Sequence, residues 1–114
     1  MRSGPRRIWL CADDYGISPG VNAGIRELIM HGRINATSIM VASPYFSSDE
    51  AAALDALNSG QKRADLGLHV TLTAPFGPMS ADFSPLRKER FLPLNDVLRG
   101  AVARRLPSEL LITE

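Results

Sequence analysis

With 114 residues, 45% of them apolar, the chain has the size of one domain and enough material for a real core. Thirteen Lys and Arg against twelve Asp and Glu leave a net charge of +1, too weak a field to attract nucleic acid or an anionic membrane. A single cysteine excludes an internal disulfide and a zinc site of paired thiolates.

The opening MRSGPRRIWLCADD is basic, but its apolar stretch is short and is cut off by two acids. It fits neither a signal peptide nor a membrane span, so a cytoplasmic protein is expected. Residues 8 to 12, IWLCA, are a continuous apolar run of the kind that predicts a strand covered on both faces in a parallel sheet. Cys11 within it reads as a buried, reduced thiol. Ser18 and Pro19 then form a helix-start pair, and Val21, Ile25, Leu28 and Ile29 recur at helical spacing as far as Gly32. His31, in the last turn of that helix, suits the C-terminal end of its dipole.

Residues 36 to 42, ATSIMVA, predict a second buried strand, ended by Pro44. Ser47 and Glu50 offer a capping box for a helix over 48 to 58, closed by Gly60. Residues 66 to 72, LGLHVTL, predict a third strand. The order β, α, β, α, β with short connections implies right-handed crossovers and a parallel sheet, an α/β fold.

From Thr73 to Leu92 the chain is rich in Pro, Ser, Gly and charge and lacks periodicity. Loops of this length are often functional lids or are ordered by something else. Residues 95 to 106 predict a weaker amphipathic helix despite Gly100. Another helix begins at Pro107 or Ser108 and stops at Glu114, barely two turns in. So short a helix is marginal alone, and the terminus reads as a cut through a longer protein.

The chemistry-bearing residues are Asp13 and Asp14, at the end of the first strand, and His69, on or near the end of the third. In parallel α/β folds such positions converge on one site. Adjacent carboxylates repel, and a divalent cation removes the conflict. One Asp can then be a ligand beside the His while the other serves as a base toward water; which is which stays open at this point. The bland alternatives are that both acids cap the loop or the first helical turn, and that His69 is a hydrogen-bonded core residue. Asn22 and Thr37 are polar residues near loop edges with no signal beyond structural use, and the pairs Arg6/Arg7 and Arg104/Arg105 read as solvated surface. There is no GxGxxG, P-loop, GxSxG or CxxC. A glycoside hydrolase is disfavoured, because adjacent acids on one loop do not easily flank a glycosidic bond at separations of ~5 to 9 Å.

ADDYGISPGVNAGI at 12 to 25, TSIMV at 37 to 41 and LGLHVTLT at 66 to 73 together resemble the YdjC-like family of carbohydrate deacetylases, collinearly over about residues 7 to 75. That family includes chitooligosaccharide deacetylases and hopanoid-biosynthesis-associated members. The resemblance implies a portion, N-terminal and incomplete, of a distorted (β/α) barrel of the glycoside hydrolase/deacetylase type. It also implies removal of acetyl groups from N-acetylated sugars or glycolipids with a divalent cation, Mg2+ or Zn2+. Carried over residue by residue, it makes Asp14 and His69 the metal ligands and Asp13 the base. The family completes its metal shell from a downstream His-x-His motif that this chain lacks, so the 114 residues alone are expected to be nearly inactive. Three strands cannot close a barrel, so self-pairing into a homodimer or larger assembly is expected. The competing reading is a non-catalytic α/β module that acts through assembly or ligand binding.

Overall fold

In the computed structural model, which describes residues 4–114, the chain enters its sheet held by Asn35. The Asn35 side chain accepts the Leu10 N–H at 2.7 Å and donates to the Ile8 carbonyl at 2.9 Å. Regular pairing starts only at Cys11, so the first strand, β1, is Cys11–Tyr15 rather than the apolar run before it. Ile8, Trp9 and Leu10 are exposed, which corrects the expectation of a strand covered on both faces. Apolarity marked the approach to the sheet, and the ladder itself begins where the register with the second strand allows it.

The remaining elements are α1 (Pro19–Met30), β2 (Ala36–Ile39), α2 (Ser48–Asn58), β3 (Asp65–Leu68), α3 (Leu94–Val102) and α4 (Ser108–Thr113). The strands lie in the order β1-β2-β3, all parallel, as the alternating β and α pattern requires. Strands two and three are shorter than their apolar runs. The Ser18 hydroxyl accepts the Val21 N–H at 3.3 Å to start α1, and Ser47 caps α2 by accepting from Glu50 N–H at 3.4 Å. The second half of the expected capping box does not form: the Glu50 carboxylate accepts instead from the Tyr15 hydroxyl and the Arg26 guanidinium.

The chain divides into two compact units, one running to His69 and the other Val70–Glu114. In the first, Tyr15, Ile25, Ile29, Leu54 and Ala64 form the core, with Ala12, Ile34, Ile39, Phe46 and Leu57 packed against it. The buried stripe of α1 runs through Asn22, Ile25 and Ile29, while Val21 and Leu28 remain about two-fifths exposed. The sequence stripe was therefore placed about one position off, because its innermost member is polar. Both helices pack against the sheet face that carries Ala12 and Ile39. By strand alternation Cys11, Asp13 and Ser38 point to the other face. That is why Cys11 is exposed, contrary to the expected buried thiol.

The second unit has its own small core. Phe83 and Phe91 are buried and meet edge to face with ring centroids 5.1 Å apart, anchoring the stretch that has no periodicity. Helix α3 ends at Val102, four residues short of the expected 106, because the chain reverses there. Arg104 takes a φ of 54°, and its N–H and that of Arg105 bond back to the Ala101 and Gly100 carbonyls at 3.0 and 2.8 Å, a Schellman closure. Gly100 is small enough to admit Leu106, whose Cδ2 would lie 2.9 Å from an added Cβ. Among the described residues no helix is long and apolar enough to cross a membrane.

Candidate metal and acid site

The three residues singled out in the sequence lie at one end of the sheet of the first unit. In a regular strand, Asp13 and Asp14 would project to opposite faces. Here β1 carries a bulge: Ala12 pairs with Thr37, but Tyr15 pairs with Ile39, so three steps on β1 match two on β2. The surplus residue is accommodated by Asp14, which adopts a φ of 66°. Bulges of this kind re-aim side chains at functional sites, and Asp tolerates the left-handed region better than most residues. The neighbouring ladder is repaired by Thr37, whose hydroxyl donates to the Ala12 carbonyl at 2.8 Å.

Beyond the bulge, the Ile17 N–H bonds to the Asp14 carbonyl at 3.0 Å, closing a tight turn over Gly16 at a φ of 105°. A Cβ at Gly16 would lie 3.1 Å from the Met40 carbonyl oxygen, so both the angle and the space call for glycine. Two buried side chains clamp its peptide groups. Asn22 accepts the Gly16 N–H at 2.6 Å and donates to the Tyr45 carbonyl at 3.0 Å, and the Ser43 hydroxyl donates to the Gly16 carbonyl. Behind the loop, Tyr15 is fully buried and bonded to both Arg26 and Glu50. Burial, reinforced by the bond to Glu50, pushes its phenol up to about 12. The acids thus sit on the bulged end of β1, braced by the Gly16 turn, and not at the helix cap, which Ser18 supplies.

His69 follows directly after β3, with its N–H on the Ile39 carbonyl at 2.9 Å. Its Nδ1 lies 3.2 Å from the Asp14 Oδ1, and both side chains are partly exposed. The Ser38 hydroxyl donates to the Asp13 Oδ1 at 2.8 Å and lies 3.1 Å from the same Nδ1. Cys11 Sγ, at 3.6 Å from Asp13 Oδ1, completes the cluster. Its thiol is pushed up by burial first, then by the Asp13 charge and hydrogen bond. The imidazole therefore faces the acids and not packed aliphatic side chains, as a core role would require.

A cation with bonds of about 2.0–2.2 Å separates neighbouring donors by about 2.8–3.1 Å at octahedral angles and about 3.3–3.6 Å at tetrahedral ones, and the Asp14 to His69 spacing of 3.2 Å lies between the two. A carboxylate with an imidazole is a donor pair of the kind zinc takes, whereas magnesium takes oxygen donors such as the carboxylates alone. Among the described residues no group of three or more His, Cys, Asp or Glu is placed to hold an ion. Asn22, Ser38 and Ser43 were missed or set aside in the sequence. Ser38 carried a signal: it is the polar residue that strand alternation puts on the face opposite Thr37 and Ile39.

The sequence matches the family model for YdjC-like proteins over residues 7–105. The chain belongs to the YdjC-like family. A carbohydrate deacetylase of Listeria monocytogenes is 42% identical over 67 residues, which cover 59% of this chain and 25% of that protein. A carbohydrate deacetylase of Thermoanaerobacter pseudethanolicus is 40% identical over 65 residues, 55% of this chain and 23% of the other. One from Enterococcus faecalis is 34% identical over 71 residues, 60% and 24%. The YdjC-like match takes in all three site residues, and the chain spans about a quarter of the length of the curated relatives it matches.

Proposed function

We propose that this YdjC-like chain carries part of the active site of a metal-dependent carbohydrate deacetylase, which hydrolyses the acetamide of an N-acetylated sugar or glycolipid. The observation that carries the reading is the meeting of Asp14 and His69 at 3.2 Å, with Asp13 next to Asp14 on the bulged strand and bonded to Ser38. That similar proteins are carbohydrate deacetylases supports a carbohydrate substrate. Asp14 and His69 would hold the divalent cation, which when bound supplies Lewis acidity toward the acetamide carbonyl and lowers the cost of ionising water. Asp13 accepts the proton of the attacking water, whose oxygen bonds to the carbonyl carbon. The C–N bond then breaks, the amine leaves with the proton that Asp13 took from the water, and acetate is released. The arrangement is part of a distorted (β/α) barrel on this reading, in a cytoplasmic protein. The exposed free thiol of Cys11 fits such a reducing compartment.

With two protein donors among the described residues, the isolated chain is expected to bind its ion weakly and to release acetate at a trace rate at most. Titration of the chain with Zn2+ and Mg2+ by calorimetry tests the reading. Binding that Asp14→Ala or His69→Ala abolishes is the expected result; binding indifferent to both substitutions, or rapid acetate release by the isolated chain, overturns it. The non-catalytic alternative predicts that indifference.

A further inference from the structure

We infer that Ser38 is a positioning residue that ties the base, Asp13, to the ligand, His69; the inference rests on the deacetylase reading for those two roles. A hydroxyl has one proton to give. Asp13 Oδ1, at 2.8 Å, is a carboxylate oxygen and takes it. Toward His69 Nδ1, at 3.1 Å, Ser38 then presents a lone pair, so Nδ1 faces acceptors on two sides, Ser38 Oγ and Asp14 Oδ1. In the cation-free chain a proton on Nδ1 therefore lies between Ser38 Oγ and Asp14 Oδ1 while Ser38 donates onward to Asp13, and an ion on Nδ1 would take that proton's place. A bare carboxylate on an exposed strand would sample several rotamers. The Ser38 bond selects one of them, and the strand register makes the selection rigid, because Ser38 belongs to the central strand, paired on both sides. Neighbouring groups that orient ligands in this way are typically worth about 10–100-fold in metal affinity or activity.

The test is a coupling measurement on the cation-free full chain, reading the 15N resonance of His69 Nδ1. Asp13→Ala is expected to shift that resonance in the wild-type background. Most of the shift disappears when Ser38→Ala is present and returns with Ser38→Thr, which keeps the hydroxyl. Ser38→Cys keeps the volume while losing the strong bond, and serves in place of Ser38→Ala should that variant not fold. An Asp13→Ala shift of the same size with and without the hydroxyl overturns the proposal. A parallel Mn2+ titration is expected to show about tenfold weaker binding in Ser38→Ala and recovery in Ser38→Thr. Wild-type chain that takes up no Mn2+ would overturn the metal reading instead, and the resonance measurement would still decide the role of Ser38.

Discussion

Asp14 and His69, 55 positions apart in the chain, meet at 3.2 Å because Asp14 leaves the strand conformation for a φ of 66°. The same residue thus bears the backbone strain and the ligand role proposed for it, and the two are separable by substitution. Asp14→Gly is expected to fold at least as stably as wild type, gaining up to about 1 kcal/mol, while cation binding is lost. Asp14→Val, β-branched in a region such residues avoid, should lose about 2 kcal/mol. Urea denaturation of the two variants makes the comparison, and equal destabilisation by Gly and Val would contradict the conformational account.

Asn22 is fully buried and serves two backbone groups of different loops, the Gly16 N–H and the Tyr45 carbonyl. Asn22→Ala orphans both and should cost about 2–4 kcal/mol, with Asn22→Leu no better, since hydrophobicity does not replace the bonds. Equilibrium unfolding will show whether Leu rescues. If it does, the position is a packing site and not a clamp.

The Cys11 thiol is raised by burial and by Asp13, so less of it is thiolate at any given pH. Alkylation by iodoacetamide at mildly alkaline pH should be slower than for an unstructured cysteine peptide, despite the exposed position. Asp13→Asn should speed it up by removing the charge. Rates that do not respond to Asp13→Asn would rule out the electrostatic part.

Tyr15 gives an alkaline signature. Its phenol is raised from the usual 10 to about 12, so the folded state holds a proton that the unfolded state has released in between. The corresponding stability is intact below about pH 10 and falls by about 1.4 kcal/mol per pH unit from there to about 12. Thermal unfolding of wild type and Tyr15→Phe across this window should show a loss in the former that the latter lacks. Parallel pH profiles would argue against the coupling.

The order of elements and the helix starts were legible because local chemistry decides them: Ser18 with Pro19, and Ser47, each act within one turn. The convergence of Asp13, Asp14 and His69 was legible because a parallel sheet brings its strand ends together. The bulge was not, since it depends on the register between β1 and β2, which no local pattern encodes. Nor was the clamp made by Asn22, whose spacing signalled no more than structural use, because its two backbone partners lie in separate loops. Cys11 and the run IWLCA misled for one reason: apolar character says that a segment is near a sheet, while which face is covered depends on where the helices lie. Phe83 and Phe91 give the aperiodic stretch its anchor through a pairing that leaves no periodic trace.

The sheet of the first unit has Ala12 and Ile39 packed beneath helices on one side and Cys11, Asp13 and Ser38 on the other. Tolerance to mutation should therefore follow the face a side chain occupies, with the parity along β1 reset at the bulge. Changes on one face erode folding, and changes on the other alter reactivity while the protein still folds. Selection could thus retune the chemistry here without renegotiating the scaffold.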